Sequence, residues 1–167
     1  LYEESFADLK KMGVPFLPYE TYGRSPLENS SFLVSSANFN EKIHGKGFVA
    51  ILSGSTAEFL QMWELMMNGE KLFTMQDGTL TFKLAPAIPA YLVKDDGKVE
   101  TTLFGKIKVV YDCGSKRDLI PGQYAVTKYE LVAADGSIES CEAATVSGEA
   151  AQRIRDGKVA EIRVTIQ

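Results

Sequence analysis

The chain has few of the residues on which several classes of protein depend. Among 167 residues it has two cysteines, Cys113 and Cys141, and one histidine, His44. Two cysteines do not build the disulfide framework of a small secreted domain; two unpaired thiols in a cytoplasmic protein are the simplest interpretation, with a single bridge as the alternative. A lone histidine with two distant cysteines also lacks the spacing of a zinc site, so we expect no bound metal.

Long apolar runs and an excess of charge of one sign are also missing. No stretch approaches the roughly 20 apolar residues that a membrane-spanning helix requires, and no signal peptide is visible. The chain has 18 basic and 22 acidic residues, a net charge of -4, and no basic block. Nucleic-acid binding through phosphate contacts is therefore not expected. The sequence predicts a cytoplasmic protein with neither a membrane nor nucleic acid as partner.

The composition fits one globular domain, or a small domain with part of another. Hydrophobic residues make up 45% and charged residues 24% of the chain, close to the globular average. The first residue is Leu1 rather than Met, and we expect the chain to be a piece of a longer protein. Residues 1–70 show helix signals and long irregular stretches, whereas residues 71–167 show mainly strand and hairpin signals.

Two helices are predicted in the first half. The first has apolar residues at helical spacing and a glycine at its end: Tyr2, Phe6, Leu9, Met12 and Gly13. The second begins with the capping box Ser55-Thr56-Ala57-Glu58 and ends at Asn68-Gly69. Because it is apolar nearly all round, we expect burial on most sides, partly by helices outside this chain. Between the two helices, residues 14–52 form a long aromatic connection, which is typical of a functional loop.

The second half predicts a β-domain with one helix. Asp77-Gly78 and Asp135-Gly136 are turn signals beside strand-like segments. The predicted strands are residues 79–84, 99–111 with a bulge at Gly105, 124–133, 137–146 and 159–166, and the predicted helix is 149–155. The sequence therefore predicts an α+β protein, mainly β. A helical segment, 1–70, precedes an antiparallel β-sandwich-like domain, 71–167.

The best candidate site is the turn Leu52-Ser53-Gly54-Ser55, directly before the second helix. The first N–H groups of a helix have no acceptor within it, and the helix dipole favours an anion there. Gly54 would let a phosphate or a carboxylate approach the backbone closely. The alternative is structural: Ser55 caps the helix and Gly54 turns the chain.

His44 and Ser55 are the further candidates for a substrate site. A histidine can act as acid, base or phosphate donor, but the alternative for a lone histidine is a hydrogen-bonded structural role. Asp95-Asp96 precedes Gly97 and is better explained as a turn, so we do not expect these residues and Asp112 to provide a catalytic carboxylate pair. A small self-contained enzyme built on His44 lacks any partner motif.

Three segments resemble glycoside hydrolase family 94, the cellobiose phosphorylase-like enzymes once classed as glycosyltransferase family 36. The segment 48–63, with Ser53-Gly54-Ser55-Thr56-Ala57, resembles the family's Thr/Ser-Gly-Ser/Thr-Ala-x-Trp/Phe pattern, which enters an inner helix of an (α/α)6 barrel. Residues 80–92 and 103–109 resemble the Pro-rich turn and the strand that follow the barrel. The resemblance covers most of the chain, as the C-terminal end of a much larger protein.

The resemblance implies inverting phosphorolysis of a β-glucoside, with inorganic phosphate as co-substrate and no other cofactor. It implies that Ser53 and Gly54 contact phosphate. The family's catalytic acid lies upstream of the matching region, so we assign no catalytic residue here and expect this chain alone to be inactive. The implied partners are an oligosaccharide and the upstream barrel, and a homo-oligomer remains open.

A second interpretation is a non-catalytic module that binds sugar or serves a structural role. It predicts exposed aromatic side chains on one face of the β-domain, on which a sugar ring could stack. The candidates are Tyr91, Tyr111, Tyr124 and Tyr129. Core or cross-strand packing is the alternative for each of them.

Overall fold

The computed structural model describes residues 1–12, 32–33, 36–44, 47–48 and 53–167. These residues form two compact units, Leu1–Gln61 and Met62–Gln167. Most of the predicted connection 14–52 lies outside the described residues, as does the predicted helix stop at Gly13. The predicted boundary near residue 70 stays a prediction.

Three α-helices are present in the described part of the chain, at the three places where the sequence predicts them. Helix α1 is Tyr2–Met12, α2 is Ser53–Asn68 and α3 is Gly148–Arg155. Gly69, with φ +94°, follows α2 in the left-handed conformation that favours glycine after a helix. Short 3-10 turns occur at Glu41–Ile43 and Ala90–Leu92.

The strands form three sheets. Phe32–Leu33 (β1) pairs with Gly47–Phe48 (β2). The small sheet has the order β3-β4-β9 and consists of Phe73–Gln76 (β3), Thr79–Phe82 (β4) and Val146–Ser147 (β9). The large sheet has the order β5-β6-β10-β7-β8 and consists of Lys98–Leu103 (β5), Ile107–Asp112 (β6), Val126–Val132 (β7), Ile138–Cys141 (β8) and Glu161–Ile166 (β10).

The hairpin turns follow the glycine signals, with two differences from the sequence prediction. Asp77 and Gly78 both have positive φ, at +48° and +77°, and join β4 to a strand that was not predicted, β3. Gly105 lies in the turn between β5 and β6 rather than in a bulge, so the predicted strand 99–111 is in fact a hairpin. Phe104 shares this turn at φ +54°, a conformation that a bulky residue rarely adopts.

The large sheet is mixed, and the prediction of a wholly antiparallel domain is wrong at one pair of strands. Strand β10 lies antiparallel to β7 but parallel to β6. Parallel neighbours need a crossover connection, because a hairpin reverses the chain direction. The chain between β6 and β10 passes through β7, β8, β9 and α3 before it returns to the centre of the sheet.

One face of the large sheet is buried and the other is charged. Inward residues alternate with outward ones along β5, β6 and β10, the pattern of a sheet with one face in the core. The buried face shares one apolar cluster with Phe82 of β4, Ala151 and Ile154 of α3 and Met67 of α2. The rings of Phe82 and Tyr129 meet edge to face at 6.1 Å.

The fold is therefore α+β and mainly β, as the sequence predicts. No helix in the described ranges has both the length and the apolar character needed to cross a membrane.

Candidate functional site

The first turn of α2 contains Ser53, Gly54 and Ser55 of the predicted anion site, and Leu52 lies outside the described residues. The helix begins at Ser53, two residues before the predicted N-cap at Ser55. Ser53, Gly54 and Ser55 therefore provide the N–H groups that have no carbonyl acceptor inside the helix. Such groups can bind a phosphate or a carboxylate. The side chains of residues 53–56 lie outside what the structure describes, and the phosphate contact stays a prediction.

The other end of α2 is fully hydrogen-bonded. The last four carbonyls of a helix have no intrahelical donor and need one from elsewhere. Here the N–H of Gly69, the N–H of Ala87, the hydroxyl of Tyr111 and the N–H of Ala85 donate in turn to the carbonyls of Leu65, Met66, Met67 and Asn68, at 2.9, 2.7, 2.7 and 3.0 Å. Three of these donors belong to the β-domain, so the β-domain holds the end of the helix in place.

Side chains of α2 differ strongly in burial. Met67 is buried, and Trp63 and Met66 pack partly against the core. Leu60 is 58% exposed and Leu65 is 44% exposed, and Phe59 and Met62 are also exposed. The predicted burial on most sides is not found within the described residues, because this one helix face alone packs against the β-domain.

Asn68 is the last residue of α2, and its side-chain amide is buried and only partly hydrogen-bonded. Its Nδ2 donates to Oε2 of Glu64 at 2.7 Å. Its Oδ1 is buried and has no hydrogen-bond partner among the residues that the structure describes, and the residue is only 2% exposed. A buried acceptor without a donor costs about 1–3 kcal/mol, so this position stores a local instability.

His44 follows the short 3-10 turn Glu41–Ile43, which the side chain of Asn40 caps by accepting from the N–H of Lys42 at 3.2 Å. Its Nε2 lies 2.7 Å from the backbone carbonyl of Asn38. A carbonyl only accepts, so Nε2 donates this hydrogen bond. This contact matches the structural alternative for His44.

The four tyrosines considered for sugar stacking have different surroundings. Tyr111 and Tyr129 are buried. The hydroxyl of Tyr129 accepts from the N–H of Leu84 at 3.0 Å, and that of Tyr124 donates to the carbonyl of Pro86 at 2.7 Å. Only Tyr91 has an exposed ring, and partial burial followed by the charge of Asp118 raises its pKa. These four tyrosines therefore form no exposed stacking platform.

The outer face of the large sheet carries a continuous chain of ion pairs. Acidic and basic residues alternate along this chain of pairs, in the order Lys94, Glu100, Lys108, Glu161, Arg163, Glu130, Lys128 and Glu142. A depression of about 470 Å³ lies over part of this face. Hydrogen bonds from Lys94 and Lys108 lower the pKa of Glu100. Each of these eight charged residues has a partner of opposite sign, which is typical of a solvated face.

The remaining polar candidates have structural roles. Asp96 accepts from the N–H of Lys98, and Asp112 accepts from the N–H of Gly114, each at 3.1 Å. Both contacts stabilise turns, which the sequence predicts for Asp95-Asp96 only. Cys113 and Cys141 are both free thiols. Within the described ranges no group of histidine, cysteine and carboxylate side chains could hold a metal ion.

No protein-family model matches this chain, and no curated protein and no solved structure matches it.

Proposed function

We propose that this chain is the C-terminal part of a carbohydrate-active enzyme of the glycoside phosphorylase type. It supplies a wall of the phosphate and substrate site and a structural β-domain. In the reaction, a phosphate oxygen bonds to the anomeric carbon of a β-glucoside as the glycosidic bond breaks. The leaving sugar oxygen takes a proton from an acid elsewhere in the enzyme, and the anomeric configuration inverts.

The main support for the proposal is the hydrogen bonding at the C-terminal end of α2. Its last four carbonyls are hydrogen-bonded, three of them by the β-domain. Earlier in the same helix, the side chains of Leu60, Met62 and Leu65 are exposed. An anchored helix with an uncovered apolar surface suits the last helix of an (α/α)6 barrel, whose other helices would cover it. The first turn of this helix, with Ser53 and Gly54, would then contact the phosphate.

The resemblance of residues 48–63 to the phosphorylase pattern supports the same assignment. It and the free N–H groups of the first turn are independent reasons to expect an anion at Ser53-Gly54. His44 and Ser55 remain candidates for the substrate site on proximity in sequence.

The test uses the complete native polypeptide. Its mass is measured first, with an antibody against this segment, and we expect a band several times heavier than 18.4 kDa. The complete protein is then assayed for release of a sugar 1-phosphate from β-glucosides with inorganic phosphate. Ser53→Ala removes one donor to a charged ligand, so kcat/KM for phosphate should fall about 10- to 100-fold.

Helix α3 offers a matched control, because it also starts at a Ser-Gly pair, Ser147-Gly148. Ser147→Ala should leave the phosphate kinetics unchanged. Absence of phosphorolysis in the complete protein refutes the proposed reaction. Equal kinetics for Ser53→Ala and wild type refute the phosphate contact alone. A native band at the mass of this chain favours the non-catalytic module instead.

A further inference from the structure

Strand β3 forms one edge of the small sheet, and among the described residues its outer backbone groups have no backbone partner. The two-residue turn at Asp77-Gly78 makes Gln76 and Thr79 a hydrogen-bonded pair, and pairing alternates from there. The bond from the N–H of Lys83 to the carbonyl of Leu72, at 2.9 Å, fits the same alternation of hydrogen-bonded and non-hydrogen-bonded pairs. The N–H and C=O groups of residues 73 and 75 consequently point away from β4. Within the described part of the chain they bond to no other backbone group.

This edge lacks the protection that edge strands usually carry. Natural edges are blunted by charged side chains, proline or bulges, because free backbone groups attract another strand. The sequence of β3 is Phe-Thr-Met-Gln, with neither charge nor proline. Met75 is 64% exposed. The edge is therefore suited to pair with another strand.

The charges that flank β3 identify the strand that fits. In an antiparallel pair of two β3 strands with residue 74 on the two-fold axis, Phe73 lies opposite Met75 of the second copy. The same register brings Lys71 of each copy towards Asp77 of the other. Both are exposed, and neither forms an ion pair within the described residues. In this register, the β3 edges of two copies match both in charge and in the direction of their backbone hydrogen-bonding groups.

An aromatic patch lies beside the same edge. The ring of Phe104 stacks on the ring of Phe73 at 6.2 Å with an interplanar angle of 18°, and Phe104 is 49% exposed. Phe73 and Met75 lie on one face of β3 because side chains alternate along a strand. Pairing of two β3 strands would bring two such patches together and bury apolar surface.

We propose that two copies of this chain associate through antiparallel pairing of their β3 strands, centred on Thr74. The two small sheets then form one continuous six-stranded sheet. Phe73 and Met75 of each copy exchange backbone hydrogen bonds with the other, and Lys71 pairs with Asp77. This interface is independent of the proposed enzymatic function.

The experiment measures the mass of the 167-residue chain by sedimentation equilibrium over a range of concentrations. Wild type should be a dimer. Met75→Lys places like charges at the interface, and the dissociation constant should rise at least about tenfold. The matched control is Ile138→Lys, which adds the same charge to an exposed residue of β8, an edge of the other sheet. It should leave the dimer intact.

A crosslink tests the register. Opposed residues of a non-hydrogen-bonded antiparallel pair have Cα atoms about 4.5 Å apart, which a disulfide can span. Thr74→Cys, in a Cys141→Ser background, should form an intermolecular disulfide under mild oxidation, whereas Gln76→Cys should not. A monomeric wild type overturns the proposal. So does a dimer that survives Met75→Lys, and so does a dimer in which residue 74 does not crosslink.

Discussion

The hydroxyl of Tyr111 should be among the costliest single groups to remove from the β-domain. Tyr111 is fully buried, and its hydroxyl donates to the carbonyl of Met67 at 2.7 Å. Tyr111→Phe removes the hydrogen bond and leaves the carbonyl at the end of α2 without a donor. The bond contributes about 0.5–1.5 kcal/mol, and an unsatisfied buried acceptor costs about 1–3 kcal/mol. We therefore expect a loss of about 2–3 kcal/mol in the free energy of unfolding.

Tyr124→Phe is the matched control. It also removes a hydroxyl that donates to a backbone carbonyl at 2.7 Å, that of Pro86, but Tyr124 is only partly buried. Water can replace the lost donor there, so the cost should stay below about 1 kcal/mol. The comparison separates burial from hydrogen-bond length, which is the same in both.

Urea unfolding followed by the fluorescence of Trp63 measures both variants. Trp63 is the single tryptophan and packs against the core cluster near the end of α2. With a slope of about 1–3 kcal/mol per molar urea, the Tyr111→Phe midpoint should fall by about 1 M or more. A Tyr111→Phe midpoint within error of wild type, or equal to that of Tyr124→Phe, would refute the reasoning that α2 depends on this donor.

Three further predictions concern stability. Gly69→Ala should lower the free energy of unfolding, measured by calorimetry, more than Gly122→Ala does. Both glycines have φ near +90°, but a Cβ at Gly69 would lie 3.0 Å from neighbouring atoms, whereas a Cβ at Gly122 would meet nothing within 4 Å. Equal losses would contradict that steric argument. Burial raises the pKa of Tyr129 to about 12 and that of Cys113 from 9.0 to about 11. As the pH rises, the unfolded state releases these protons before the folded state does. The free energy of unfolding should therefore be unaffected below pH 9 and decrease up to about pH 12. Cys113→Ala should make the first part of that decrease smaller. Asn68→Asp puts a second carboxylate beside a glutamate in a buried position, which raises a carboxyl pKa in the folded state. The variant should lose about 2 kcal/mol or more at pH 7 and recover as the pH falls below about 5; a pH-independent loss would count against this account.

Local signals predicted most of the β-domain elements. The glycine turns at 77–78 and 135–136 and the alternation of β5, β6 and β10 depend on neighbouring residues only, and the structure has them where they were expected. Strand β3 was missed, although Phe73 and Met75 alternate just before Asp77-Gly78. Only two apolar positions carry that signal, and a short exposed edge strand contributes little to the core.

Pairing between strands that are far apart in the sequence could not be predicted. The place of β10 between β6 and β7 depends on which strands bury their faces together, and no local pattern encodes that choice. The anchoring role of Tyr111 was likewise hidden, because the sequence shows an aromatic residue in a strand but not the helix end that it meets. The start of α2 at Ser53 changes Ser55 from a predicted cap into a residue of the first turn.

The place of β10 has a consequence for how the domain forms. The hairpins β5–β6 and β7–β8 join residues close in sequence, so each can form early and locally. Neither touches the other in the large sheet until β10, the last strand described, inserts between them. Until that moment each hairpin exposes an inner edge and an apolar face, Tyr111 and Tyr129 included. We therefore expect completion of the sheet to be a late event of folding, and the interval before it to be when this domain is most prone to aggregate.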